Sequence, residues 1–450
     1  MDADLAIIGG EVLTMGTAGT IPNGIVLVRA NRIIAVGTPE HIGPYTAQKT
    51  LDAADQVIMP GFSNCHTHIG SNVLLRGLNE DAKLFEWLQS MWRLKKNFDH
   101  ETLKLASLAG LAEMALAGIT SFNEHFDAYS VSPQIDALGQ VPLRATLGYG
   151  FADIGLYAPV ADWTHDALSN FGDIVKAHHG SQENRLQVAL SPHATYSCTA
   201  ELWEKCATVA EEHCLSIHTH LSEGSQEHRY VEETHGVSPT AWLESLGVLG
   251  RNVTAAHCTT LSQHDIELLA ASETKVAHCP VSNAKLCSGI LPIKRLLAAG
   301  VTVGLATDGP ASHNTLDMFQ EMKFGAITHK NHHQDPELLP VKQMLRMATR
   351  DAALAMHLPE CGVLEQNMLA DLIVVDLNKP HTAPRYDSEA ALVYSSRADD
   401  VTHVVVDGQL IVEQGQLCGL DMPELLKELR GRAQALRRRS EVWRAGSSTG

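Results

Sequence analysis

The chain is short of what a membrane or nucleic-acid partner requires. No apolar run approaches the roughly 18 residues that span a bilayer, and Met1-Asp2-Ala3-Asp4 carries acids where a secretory signal carries cations. Positive charge is scarce: 34 Lys and Arg against 52 Asp and Glu leave a net charge of −18, which disfavours nucleic acid and anionic membranes. Basic residues gather from Lys427 to Arg444, as Arg430, Arg432, Arg437, Arg438 and Arg439, and are read as a solvated helix face. C-x-x-C pairs are absent, and nine cysteines, an odd number, fit reduced thiols rather than a disulfide framework or a four-cysteine zinc site. Cys65, Cys258 and Cys279 fall in strand-like runs and are expected as small core residues. A soluble, cytoplasmic protein with no nucleic-acid or membrane partner is expected.

What the chain does have is a series of short apolar, β-branched-rich runs: Val57 to His68, Gly118 to His125, Val141 to Gly150, Leu186 to Ala194, Leu215 to Glu223, Val253 to Cys258, Lys275 to Asn283 and Val301 to Pro310. Amphipathic spacing falls between most of them, at Leu103 to Leu116, Ala200 to His213, Ser238 to Leu246, His264 to Ser272 and Ile293 to Ala299. Buried strands alternating with helices predict an α/β fold, a (β/α)8 TIM barrel. One such barrel takes roughly 250 residues, so a chain of 450 has an excess, and it lies at both ends. Asp4 to Gly10, Gly24 to Gly37, Ala370 to Asp376 and Val401 to Val412 read as strands, with Asp407-Gly408 as a hairpin signal. The expected organisation is a small β-sandwich domain built from both termini, residues 1–56 and 366–450 with a terminal helix, flanking a barrel at 57–365.

Several runs end in His or Asp. In His66-Thr67-His68 the i, i+2 spacing on a strand turns both imidazoles to one face, and His220 and Asp308 close later runs in the same layout. Side chains at the C-terminal ends of barrel strands meet at the mouth. His66, His68, His220 and Asp308 are therefore a candidate set of three nitrogens and one carboxylate for Zn2+ or Fe2+, leaving a position for water. Metal binding brings such water to a pKa of about 7, and Glu223, three residues after His220, is placed to shuttle its proton. His257 closes another run as a ligand or, preferably, as a group that orients the water and polarises the substrate. Asp308 is also a candidate base. His193, in Ser191-Pro192-His193, is a candidate hydrogen-bond partner for substrate. His218 shares the parity of His220 and should face the interior below the metal. His278 and His313 are candidates to border the pocket, and His332 and His333 are read as solvated.

Pro60-Gly61-Phe62 before His66-x-His68, His220-x-x-Glu223, Ala256-His257-Cys258 and Thr307-Asp308-Gly309 together resemble the amidohydrolase superfamily, over nearly the whole chain. In its binuclear members a carboxylated Lys at the end of the fourth strand bridges two metals; Ser191-Pro192-His193 stands there instead. The resemblance is thus to the mononuclear branch, whose members commonly remove amino groups from heterocycles. It implies one divalent ion, Zn2+ first and Fe2+ second, held by His66, His68, His220 and Asp308, with proton transfer by Glu223 and His257. Leu75-Arg76-Gly77, Trp87-Leu88, Ser282-Asn283-Ala284-Lys285-Leu286 and Asp308-Gly309-Pro310-Ala311-Ser312 look like the deaminases of S-adenosylhomocysteine, methylthioadenosine and related adenosines, and also like triazine hydrolases.

The expectation is a metal-dependent aminohydrolase of cyclic amidines that releases ammonia from an adenosine-type small molecule, with Trp87 stacked on the ring and His193 and Arg144 hydrogen-bonded to it. A triazine-type hydrolase displacing chloride or an alkylamine, a deaminase of a ribose-free ring, and a non-catalytic scaffold are the alternatives. Barrels of this superfamily are often homo-oligomers, an expectation by analogy alone. The chain departs from the adenosine-type pattern at one place: a Glu that holds ribose hydroxyls in those members is missing from Met91-Trp92-Arg93-Leu94-Lys95-Lys96. A cation cannot accept hydrogen bonds from a diol, so this stretch points to a ring without ribose or to one bearing an anionic group.

Overall fold

The computed structural model describes residues 1–95, 98–125 and 131–447, with side chains as far as Arg438. Lys96 and the side chain of Arg439 lie outside the described residues. The chain opens with β1 (Asp2–Leu13), β2 (Thr20–Arg29), β3 (Arg32–Gly37), β4 (Thr46–Asp52) and β5 (Val57–Pro60). There follow β6 (Phe62–Thr67), β7 (Ile119–His125), β8 (Arg144–Phe151), β9 (Leu186–Pro192), β10 (Ile217–Leu221), β11 (Val253–His257), β12 (Lys275–His278) and β13 (Val303–Leu305). It closes with β14 (Leu372–Val375), β15 (Val401–Val406), β16 (Gln409–Glu413) and β17 (Gln416–Leu417).

Strands β6 to β13 pair in chain order as one eight-stranded parallel sheet. Its two ends meet: the Asp308 N–H donates to His66 O at 3.0 Å and the Thr307 N–H to Asn64 Oδ1 at 3.0 Å. The expected TIM barrel is therefore present. Every residue of β6, β7, β8, β10 and β11 is buried, as parallel strands covered on both faces require. This explains why these strands read as apolar runs without alternation. Five helices matter below: α1 (Leu84–Lys95), α2 (His100–Leu116), α3 (Ser225–His235), α4 (Met318–His333) and α5 (Met422–Ser447). Phe319 on α4 meets Phe62 of β6 edge-on, with ring centroids 4.9 Å apart. Arg430, Arg432, Arg437 and Arg438 on α5 are exposed. No helix among the described residues is long and apolar enough to cross a membrane.

The remaining nine strands form one mixed sheet from both ends of the chain. The run from Val57 to His68, expected as a single barrel strand, divides at Gly61. β5 pairs with β1 and with β14 in the terminal sheet, whereas β6 opens the barrel beside β7. The joint requires glycine, because a Cβ at Gly61 would lie 2.1 Å from Thr120 Cγ2.

Candidate active site

The histidines and carboxylates singled out by the sequence converge at the C-terminal ends of the barrel strands. His66 lies in β6 with His68 just beyond it, His218 and His220 lie in β10, His257 ends β11, and Asp308 follows β13. The backbone turns sharply here: Ser222, His257, Cys258 and Asp308 have φ of 50°, 73°, 51° and 58°. Left-handed backbone at non-glycine residues costs of order 1–3 kcal/mol each and collects at functional sites.

Ring nitrogens of His66, His68 and His220 lie within 4.8 Å of one another, as do donor atoms of His66, His257 and Asp308. The His68 Nδ1–H donates to His125 O at 2.6 Å and the His220 Nδ1–H to His193 O at 2.8 Å, which leaves both Nε2 atoms as lone-pair donors 3.2 Å apart. His66 Nδ1 meets His218 Nε2 at 2.8 Å, while His66 Nε2 is buried without a hydrogen-bond partner among the described residues. Asp308 Oδ1 lies 3.4 Å from Nε2 of both His66 and His68. Its Oδ1 accepts the Gly309 N–H at 2.7 Å, and Oδ2 accepts the hydroxyls of Ser282 and Ser312 at 2.6 and 2.8 Å. A Cβ at Gly309 would lie 2.4 Å from Asn72 Nδ2 and 3.0 Å from His68 Cβ, so a side chain there would push the Asn72 amide aside and press on His68.

Burial pushes His66 down to about 3, and burial likewise takes His220, His218 and His125 well below the usual imidazole range. These rings are neutral, the form that ligates metal. Burial works to raise Asp308, but the imidazoles of His66, His68 and His257 prevail and hold it well below the carboxylate range. An ionised carboxylate among neutral imidazoles, with one imidazole nitrogen left unpartnered, fits a divalent cation.

Glu223 follows β10 and is 5 % exposed, with Oε1 4.0 Å from His257 Nε2. Burial, with Asp308 adding to it, raises its carboxyl above the ordinary value. Burial opposes protonation of His257, yet the charges of Glu223 and Asp308 raise it; the Nδ1–H donates to Asn283 Oδ1 at 2.8 Å and so turns Nε2 toward Glu223. Glu227 on α3 was not singled out by sequence. Its carboxylate accepts the Glu223 N–H at 2.7 Å and the Thr195 hydroxyl at 2.5 Å, which fixes the backbone from which Glu223 projects. A Glu in the first turn of a helix that follows the catalytic strand was the available signal.

The cleft over these groups is lined by His68, Trp87, Lys95, His193, Tyr196, Glu223 and Leu286, among others, and its free volume is about 30 Å3. Trp87 and His193 thus both line the cleft. Both His193 ring nitrogens already have protein partners, Ser197 Oγ at 2.9 Å and Tyr157 Oη at 3.3 Å. His313 does not border the cleft; its Nε2 pairs with Glu321 Oε1 at 2.8 Å, buried beneath the mouth. His278 meets His329 Nε2 at 2.9 Å in the same interior. Arg144 corrects the expectation of a substrate contact. It is the first residue of β8, at the opposite end of the barrel from the histidines, and is tied to Asp371 at 2.7 Å and Asp407 at 2.8 Å. A larger hollow of about 1330 Å3 opens at that end beside Arg144, His357 and Cys361, but neither metal-ligand cluster among the described residues lies there.

A model of the amidohydrolase family matches residues 57–411. The chain belongs to that family. A 5-methylthioadenosine/S-adenosylhomocysteine deaminase from Pelotomaculum thermopropionicum is 36% identical over 440 residues, covering 96% of this chain and 99% of its own. A 5'-deoxyadenosine deaminase from Methanothermobacter thermautotrophicus is 35% identical, covering 92% of this amidohydrolase and 94% of its own length. Among solved structures, a zinc-bound adenosine deaminase from Xanthomonas campestris superposes with a TM-score of 0.91 at 30% identity, over 97% of this chain and 99% of that one. The buried histidine cluster of this amidohydrolase is a divalent-metal site.

Proposed function

We propose that this amidohydrolase is a metal-dependent deaminase that removes the amino group of a purine-type ring, of adenosine type, as ammonia. The observation that carries the reading is the buried carboxyl of Glu223, with its raised proton affinity, in the cleft shared by the metal donors and His257. The names of the relatives support the choice of ring.

One divalent ion, Zn2+ in this reading, held by His66, His68, His220 and Asp308, supplies Lewis acidity and brings water toward ionisation near neutral pH. Glu223 takes the proton of the attacking water and returns it to the departing amino nitrogen; a carboxyl raised toward neutrality serves both directions. His257, aimed by Asn283, orients the attacking oxygen and polarises the ring nitrogen beside the reacting carbon. Asp308, with its second oxygen held by two serine hydroxyls, is a further proton acceptor on the same face. Trp87 offers a flat apolar wall for the ring, and His193, its two nitrogens held by Ser197 and Tyr157, borders the same cleft. Nine cysteines, all unpaired, suit a reducing cytoplasm.

The test is to incubate the zinc-loaded protein with methylthioadenosine, S-adenosylhomocysteine, 5'-deoxyadenosine, adenosine, adenine and chlorotriazines, measuring ammonia and chloride together. Ammonia from the aminopurines is the expected result. Chloride without ammonia would replace the deaminase reading with a triazine-type hydrolase.

A further inference from the structure

α1 presents a stripe of positions 84, 87, 88, 91, 92 and 95 to the protein, spaced i, i+3, i+4, i+7, i+8 and i+11 on one helical face. Leu84, Trp87, Leu88, Met91 and Trp92 fill the first five with apolar or aromatic groups. Lys95 fills the sixth. It is 6 % exposed and lines the cleft with Leu84, Trp87, Leu88 and Glu223. An apolar residue would satisfy the stripe at no electrostatic cost, so a lysine here is a departure from the helix's own pattern. Among the described residues lining the cleft it is the one Lys or Arg, in a chain whose net charge is −18.

The cleft thus carries two kinds of polar group. Glu223, His257, Asp308 and the metal donors His68 and His220 supply the reacting groups, and Lys95 supplies a cation on the same lining, with Trp87 and Leu88. We propose that Lys95 is a specificity-determining residue: it selects, among aminopurine-type rings, those whose substituent carries an anionic oxygen group, a carboxylate or a phosphate. The proposal rests on the deaminase reading for the identity of the ring, but not for the anion. Lys95 also has a partner within the chain, which the substrate anion joins or displaces. A lysine's apolar stem with a cation at its end suits this task, and a charge-assisted bond is worth about 10- to 100-fold in binding.

The test compares rings that differ only in the anion, 9-propyladenine against 9-(2-carboxyethyl)adenine and adenosine against adenosine 5'-phosphate, on zinc-loaded wild type, Lys95→Met and Lys95→Arg. Ammonia release gives kcat/KM, and titration calorimetry gives Kd whether or not turnover occurs. Wild type should favour at least one anionic member by about tenfold or more, through KM and Kd. Lys95→Met should erase that preference with the neutral member changed less than about threefold, and Lys95→Arg should restore it. The carboxylate and phosphate arms show which anion is taken. Equal use of both members by wild type, or an equal loss on both in Lys95→Met, overturns the proposal while leaving the deaminase standing. Lys95-dependent anion binding without ammonia from any ring overturns the deaminase reading and keeps the proposal.

Discussion

The Nε2 atoms of His68 and His220 stand 3.2 Å apart, with each ring's Nδ1–H committed to a backbone carbonyl. Two lone pairs aimed at one another favour a cation between them, and the carbonyls of His125 and His193 prevent either ring from turning its proton inward. Metal loading should therefore stabilise the fold as well as enable chemistry. At free metal 100-fold above Kd the gain is about 2.7 kcal/mol. Chelated and zinc-reloaded protein, compared by denaturant midpoint, should differ by that order, and His220→Ala should lose both the bound metal and the difference. An unchanged midpoint on reloading would count against the ligand set.

Glu223→Gln keeps the volume and removes the proton shuttle. We expect kcat for ammonia release to fall by about 10²- to 10⁴-fold, with zinc content unchanged and KM within a few-fold. Metal analysis beside steady-state kinetics checks this. A loss below tenfold would mean that another group, with Asp308 first in line, carries the proton.

Glu227 gives a pH signature independent of turnover. Burial pushes its carboxyl up to about 7 from 4.5, against the lowering effect of its bonds from Thr195 and Glu223 N–H. The folded state thus holds a proton that the unfolded state has released. This contribution to stability is fully present below pH 4.5 and lost as pH rises through about 7. Over that window the loss is about 3 kcal/mol, at 1.36 kcal/mol per unit. Glu227→Gln cannot titrate, so its stability relative to wild type should improve by that order between pH 5 and pH 8 in urea unfolding. A constant difference across the range would place the carboxyl's proton affinity near its ordinary value.

Strand identity was legible because burial on both faces forces continuous apolar runs, and the i, i+2 parity of His66 and His68 carried directly into the mouth of the barrel. The division at Gly61 was not legible, since Val57–Pro60 and Phe62–Thr67 are both wholly buried and run on without a polar break at the joint; only their pairing partners tell them apart. Glu227 escaped notice, and Ser282, Asn283 and Ser312 stood only as motif residues without a role, because they act on Glu223, His257 and Asp308 through hydrogen bonds that no local pattern encodes. Lys95 was visible as an anomaly of charge, and the helical stripe on α1 explains why it faces inward.

Arg144 shows how a strand's direction decides a role. An arginine beside an apolar run that leads to the cleft resembles a substrate contact, yet it starts β8 and so lies at the far end of the barrel. There it is 3 % exposed, with its guanidinium held by Asp371 through two bonds and by Asp407 through a third. These partners sit beside β14 and after β15, so the ion cluster ties the barrel floor to the terminal sheet. Arg144→Met would leave two buried carboxylates without their cation, a loss of about 3–5 kcal/mol for a broken buried pair. Folded Arg144→Met enzyme should keep the wild-type KM, because nothing at the mouth moves, while its denaturant midpoint falls. Raised KM with an unchanged midpoint would return Arg144 to the substrate site, and replacing Asp371 and Asp407 by Asn in the same background should recover part of the lost stability if the unpaired charges are its cause.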